Sequence, residues 1–132
     1  APLKGSQMTR KAITIDNPAL DALPFSPAVR AGKTFFLSGQ VGVDPATGAL
    51  VKGGVSAEVE QIFRNISAVL AAAGKDLGDV VKANVYLVHM EDYAAMNDAY
   101  ARAFEKPYPA RTCIGAAALP LNARVEIEVI AR

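Results

Sequence analysis

Pro109-Ala110-Arg111-Thr112-Cys113-Ile114, followed by Arg124-Val125-Glu126-Ile127-Glu128-Val129, are the stretches on which the fold is read. Both alternate with the period of a β-strand. The first puts Arg111 and Cys113 on one face. The second puts Arg124, Glu126 and Glu128 on one face and Val125, Ile127 and Val129 on the other. An apolar strand face belongs against helices. The polar faces are explained by solvent or by a polar cleft, and the rest of the chain bears on the choice.

Outward from these strands, residues 56–74 predict a helix of about five turns. Ser56 is the expected N-cap, Glu58 and Glu60 suit the first turns, and Gly74 is the expected stop. Val59, Ile62, Phe63, Ile66, Val69, Leu70 and Ala73 form its apolar stripe. Residues 79–89 alternate again, with Val81, Ala83, Val85 and Leu87 on one side. A second helix over 91–106 carries Tyr93, Met96, Asn97, Tyr100 and Phe104, and Pro107 and Pro109 end it. Asn97 is a polar residue on an otherwise apolar stripe. The closing strands are expected over 110–118 and 124–131, joined by Leu119-Pro120-Leu121-Asn122.

Upstream, residues 11–15 read as a short strand. Residues 16–30, punctuated by Pro18, Pro24 and Pro27, read as an irregular loop. Residues 33–41 form an aromatic, branched strand. Asp44-Pro45-Ala46-Thr47-Gly48 is a turn, with 49–51 returning as a hairpin arm. The order β, β, α, β, α, β, β predicts a single α+β domain over residues 8–132. Its first helix is expected to join two parallel strands by a right-handed crossover, and both helices to cover one face of a mixed sheet. The other face is expected to carry Arg111, Cys113, Glu126 and Glu128 and to be covered by another copy of the chain. Residues 1–7 read as an expression tag ahead of a natural start at Met8.

Composition excludes several function classes. The formal net charge is +1 with acids and bases interspersed, so neither nucleic acid nor an anionic membrane is an expected partner. One cysteine allows no internal disulfide and suits a reducing cytoplasm. One His and one Cys do not make a typical zinc site within a chain. No apolar run of about 20 residues offers a membrane span.

Two readings of Arg111 stand at this point. Its planar fork can grip a small carboxylate bidentately, or it can pair structurally with Glu126 or Glu128. Glu126 is a general base or water-positioning carboxylate, or half of an ion pair; Glu128 is assigned a structural role. Ser38 is a hydrogen-bond donor to ligand or backbone, because the lone His89 lies in another segment and no G-x-S-x-G is present. Cys113 is a small buried residue whose main-chain carbonyl could hold a water, and His89 is a strand-end surface residue. Gly39 and Gly53-Gly54 form no phosphate loop.

Ser38-Gly39-Gln40, Pro109-Ala110-Arg111-Thr112, Leu119-Pro120 and Val125-Glu126-Ile127-Glu128 come in the order and spacing of the Rid family. These are the reactive intermediate/imine deaminases, also called YjgF-like or perchloric-acid-soluble proteins. The resemblance runs from about Ile13 to the C-terminus. It implies a chorismate-mutase-like fold and a homotrimer, with sheets lining an inner barrel, helices outside and sites between neighbouring subunits. By the family's pattern Arg111 binds the substrate carboxylate, Glu126 holds the attacking water, and the Cys113 carbonyl is a second contact. Ser38, Gly39 and Asn97 take substrate-binding positions. Where many members read Gly-Pro-Tyr-Ser, this chain reads Leu23-Pro24-Phe25-Ser26, so Phe25 keeps the ring and loses the hydroxyl.

The resemblance implies hydrolysis of small 2-imino acids, or their enamine tautomers, to 2-keto acids and ammonia, with no metal or organic cofactor. Two other readings remain: a trimer that binds small carboxylates without turnover, and an endoribonuclease. Near-neutral charge and the lack of a His pair count against the last.

Overall fold

The structure, a computed structural model, describes residues 8–132; the expected tag over residues 1–7 lies outside the described residues. A six-stranded mixed sheet forms the centre. In chain order its strands are β1 (Lys11–Ile13), β2 (Ala28–Ala31), β3 (Thr34–Leu37), β6 (Val80–Leu87), β7 (Ala110–Gly115) and β8 (Val125–Ala131). They lie in the spatial order β1-β2-β3-β8-β6-β7. The hairpin β4 (Val43–Asp44) and β5 (Ala49–Leu50) stands apart, its turn closed by the Gly48 amide on the Asp44 carbonyl at 2.8 Å. Among the described residues three α-helices accompany the sheet: a single turn α1 (Pro18–Asp21), the long α2 (Gly54–Ala72) and α3 (Tyr93–Ala103).

The C-terminal strand is central. β8 runs antiparallel to both β3 and β6, so α2 connects two strands of the same direction that flank it. β7 lies parallel to β6, as the α3 connection between them requires. The core is the helix-facing side of this sheet. Ala83, Val85 and Leu87 from β6 and Val125, Ile127, Val129 and Ala131 from β8 pack against Val59, Ile62, Phe63, Ile66 and Leu70 of α2 and Met96, Ala99 and Tyr100 of α3. Helices on one sheet face were legible from the two stripes.

Four local expectations are corrected. Residues 16–30 are not one irregular loop. Asn17 caps α1 by accepting the Ala19 amide at 3.2 Å, and β2 pairs with β3 through the two-residue turn Gly32–Lys33, with Gly32 at φ +61. Ser56 is not the cap of α2, which starts two residues earlier. Gly53 and Gly54 turn the chain at φ +119 and +82, a conformation glycine adopts freely. Gly74, at φ +73, does close the helix: its amide reaches the Ala71 carbonyl and the Lys75 amide the Leu70 carbonyl, at 3.0 and 2.8 Å. Val81 is not on the core side. It is the extra residue of a bulge against β8, so Val80 is buried in its place.

The fourth correction matters most. Arg111 and Cys113 do not share a sheet face with Glu126 and Glu128. In the register, Arg111 lies beside Ala83 and Cys113 beside Val85, both core residues. Glu126 lies beside Tyr86 and Glu128 beside Asn84, on the opposite face. The open face therefore carries the two glutamates, and the arginine belongs to the helix side.

Candidate active site

The sequence-predicted residues separate into two clusters on opposite faces of the sheet. The first is built where β7 meets α3. The Arg111 guanidinium donates from Nη2 to the Tyr93 hydroxyl at 3.2 Å and places Nη1 3.8 Å from the Met96 sulfur. It lies 4.8 Å from the centre of the Tyr100 ring and 5.7 Å from that of Tyr93. Among the described residues it takes part in no ion pair; those that form are Arg102 with Glu60, Arg124 with Asp92 and, more loosely, His89 with Glu91. The structural pairing of Arg111 with Glu126 or Glu128 is thereby excluded within one chain.

Cys113 is two residues along the same face, half-buried. Burial pushes its thiol up, against an opposing pull from Arg111, so it is a poor thiolate. Asn97 follows Met96 on α3. Its Oδ1 is buried and has no hydrogen-bond partner among the described residues, nor does the buried hydroxyl of Tyr100.

The second cluster lines a cavity of about 530 Å³ at the end of β3. Its walls include Phe25, Ser38, Gly39 and Glu126, together with Leu23 and Leu121. A bulge shapes this wall. Phe36 pairs with Ile130 and Gln40 with Ile127, so three residues (37–39) on one side oppose two (128–129) on the other around Ser38–Gly39. Gly39 lets the Glu126 carboxylate approach, since a Cβ built there would overlap Glu126 Oε2. The Ser38 hydroxyl donates to the Ser26 carbonyl at 2.6 Å, tying the loop that carries Phe25 to β3. Phe25 is 49% exposed, so its ring is a free wall rather than core.

The two glutamates are held differently. Glu128 accepts from the Tyr86 hydroxyl at 2.6 Å and from Asn84 Nδ2 at 3.2 Å. Glu126 has no donor among the described residues. Burial, and behind it the charge of Glu128, holds its carboxyl above the usual carboxylate range. A carboxylate without hydrogen bonds on a cavity wall is equipped to take a proton or hold a water. His89 sits at the surface, 3.8 Å from Glu91. Among the described residues there is no group of acidic, His or Cys side chains that could hold a metal ion. None of their helices is long and apolar enough to cross a membrane.

Sequence reasoning missed Tyr93 and Tyr100 as the support of Arg111, because their spacing reads simply as a core stripe. It also missed Leu121, which lines the cavity from φ +59.

Residues 15–132 match the family described as Endoribonuclease L-PSP. A protein named 2-iminobutanoate/2-iminopropanoate deaminase from Bos taurus is 44% identical over 126 residues, covering 96% of this chain and 92% of its own. The protein of the same name from Mus musculus is 43% identical over 126 residues, covering 96% and 93%. Among solved structures, RidA from an Antarctic Psychrobacter superposes with a TM-score of 0.86 at 43% identity, over 92% of this chain and 98% of that one. The YjgF gene product of E. coli gives 0.84 at 34% identity, over 92% and 97%.

Proposed function

Since this chain belongs to the Endoribonuclease L-PSP family, the Rid or YjgF-like proteins, we propose that it is a 2-iminobutanoate/2-iminopropanoate deaminase whose site is completed by a second copy of the chain. It hydrolyses small 2-imino acids, or the enamines in equilibrium with them, to 2-keto acids and ammonia. The observation that carries the reading is that Arg111 is held in a fixed place with no carboxylate partner among the described residues. Such a guanidinium is free to take an anionic ligand.

In the proposed reaction, Arg111 grips the substrate carboxylate. A water held by Glu126 and by the Cys113 carbonyl adds to the imine carbon, and Glu126 takes the proton that the water releases. The carbinolamine collapses when that proton is returned to nitrogen. As the C–N bond breaks, Glu126 takes the proton of the carbinolamine hydroxyl, the carbonyl of the keto acid forms, and ammonia leaves with that proton as ammonium, the substrate nitrogen having entered protonated. An imine carbon is already electrophilic, so positioning and one acid–base group suffice, and no cofactor is needed in this scheme. Phe25 walls the pocket, and Ser38, Gly39 and Asn97 surround the substrate.

Arg111 and Glu126 lie on opposite faces of one sheet, and a four-carbon acid does not reach through it. The proposal therefore has Arg111, Cys113 and Asn97 of one copy meeting Phe25, Ser38, Gly39 and Glu126 of its neighbour. A closed homotrimer with its sheets turned inward, a chorismate-mutase-like barrel, accommodates this. The exposed Phe36 and the Lys82, Tyr86 and Ile114 side of the open face would lie toward the neighbours. Residence in a reducing cytoplasm, suited to one unpaired cysteine, is part of the same proposal.

The test couples threonine dehydratase to this protein and follows the imine directly. The wild type is expected to accelerate imine loss. Arg111→Ala is expected to reduce kcat/KM by at least about 10²-fold with the circular dichroism spectrum unchanged, because two charge-assisted hydrogen bonds are lost. Wild-type turnover in that variant would overturn the anchor role. Binding of 2-oxobutanoate by calorimetry, with imine decay left at its spontaneous rate, would favour a carboxylate-binding protein instead.

A further inference from the structure

A carboxylate anchor has two conflicting requirements. It must be held still, and its charge must stay available. An acidic partner would fix a guanidinium and neutralise it; water would leave it charged but unfixed. An aromatic face does both, because its quadrupole attracts the cation without cancelling it.

Arg111 stands in such a setting. Its guanidinium lies 4.8 Å from the Tyr100 ring centre, 5.7 Å from that of Tyr93, and donates to the Tyr93 hydroxyl at 3.2 Å. Met96 closes the same side at 3.8 Å. These three residues stand three and then four positions apart on α3, one stripe of one helix. The Tyr100 ring is itself immobilised. It is 5% exposed and packs on Phe63 of α2 and on Phe104, with ring centres 5.5 and 5.1 Å away. Tyr93 is 40% exposed and packs at the rim. Among the described residues one of the five guanidinium N–H groups is used on an oxygen and one on the Met96 sulfur, so three remain for a ligand.

We propose that Tyr100 and Tyr93 are positioning residues for Arg111: an aromatic cradle on α3 that orients the guanidinium toward the substrate carboxylate while leaving its charge uncompensated. Neither tyrosine touches substrate; both act through Arg111. The inference rests on the deaminase reading and specifies how its anchor is prepared.

The experiment measures kcat and KM for 2-iminobutanoate, and the dissociation constant of 2-oxobutanoate by calorimetry, in wild type, Tyr100→Leu, Tyr100→Phe and Tyr93→Leu. Tyr100→Leu removes the face, so KM and the dissociation constant are expected to rise together by about 2- to 30-fold with kcat within about twofold of wild type. Tyr100→Phe keeps the face and is expected to bring both constants back to within about twofold. Tyr93→Leu removes the rim ring and the hydroxyl without opening the core, and is expected to raise KM by about 2- to 10-fold. Should Tyr100→Leu fail to fold, Tyr93→Leu and Tyr100→Phe decide. A folded Tyr93→Leu with wild-type KM and ligand affinity overturns the cradle, as does wild-type KM in a folded Tyr100→Leu. A wild-type protein that neither turns over imine nor binds the keto acid defeats the deaminase reading itself.

Discussion

Glu126 and Glu128 are two residues apart on one strand face, and their surroundings give them different work. Two donors hold Glu128, tying its side chain to β6 as part of the structure. Glu126 has none among the described residues, and its carboxyl is raised by burial first and by Glu128 second. A raised carboxylate binds its proton more tightly folded than unfolded, so its ionisation takes stability away as pH rises above the usual carboxylate value. The proposed reaction uses the ionised form, so the acid limb of kcat/KM is expected to report Glu126. Glu128→Gln keeps an acceptor for Tyr86 and removes the like charge. The acid limb is therefore expected to move to lower pH, measured as the pH profile of imine hydrolysis; an unmoved limb would detach Glu126 from it. Alternation on the closing strands singled out Arg111 and Glu126 as candidates, and the family resemblance supplied the roles proposed for them. Their faces were misread because alternation within a strand gives no phase between strands. Only the register of β6 with β7 and β8 supplies that phase. Tyr93 and Tyr100 were hidden for the opposite reason: a tyrosine on a helical stripe looks the same whether it faces a leucine or a guanidinium.

The elements converge on the entrance of β8, where Glu58 reaches from α2. Glu58 is 3% exposed, and its carboxylate accepts the Arg124 amide at 2.8 Å, while the Arg124 side chain pairs with Asp92 at 2.9 Å just ahead of α3. The residue just ahead of β8, two positions before Glu126, is thus fixed both to α2 and to the residue that leads into α3. Burial raises the Glu58 carboxyl above its usual value despite the amide hydrogen bonds. Its ionisation therefore costs stability as pH rises through the window above the usual carboxylate value. Glu58→Ala leaves a buried amide without its acceptor and is expected to lose about 1–3 kcal/mol in urea unfolding. Glu58→Gln keeps an acceptor without the desolvated charge and is expected to match or exceed the wild type at neutral pH. Equal losses in both would mean that the charge, not the acceptor, matters. At this scale, helices and central strands were legible and irregularities were not. The bulges at Val81 and at Ser38–Gly39 each insert one residue into a period-two pattern, which a count of alternating positions absorbs without a sign. Three prolines masked β2, whose turn signal, Gly32 before Lys33, lay just beyond the segment they dominate.

At the scale of the whole molecule, the two halves of the candidate site are separated by the sheet that carries both. Moving any one side chain does not unite them, because strand register fixes the face. A neighbouring copy can, if the helix-side edge of one chain, bearing Arg111, meets the open face of the next, bearing Glu126. This is a head-to-tail contact, which closes into a ring when the rotation between copies allows it. The arrangement makes a prediction that a site contained in one chain does not share. Arg111→Ala and Glu126→Ala homo-oligomers are each expected to be inactive. After the two are unfolded together and refolded at equal concentration, some interfaces pair an intact Arg111 with an intact Glu126 from its neighbour. With random assembly about a quarter of the sites are whole, so imine hydrolysis is expected to return to about a quarter of the wild-type rate. Refolding each variant alone is expected to restore nothing. Were both groups drawn from the same chain, every site in the mixture would still lack one of them. The mixed sample would then stay as inactive as its components.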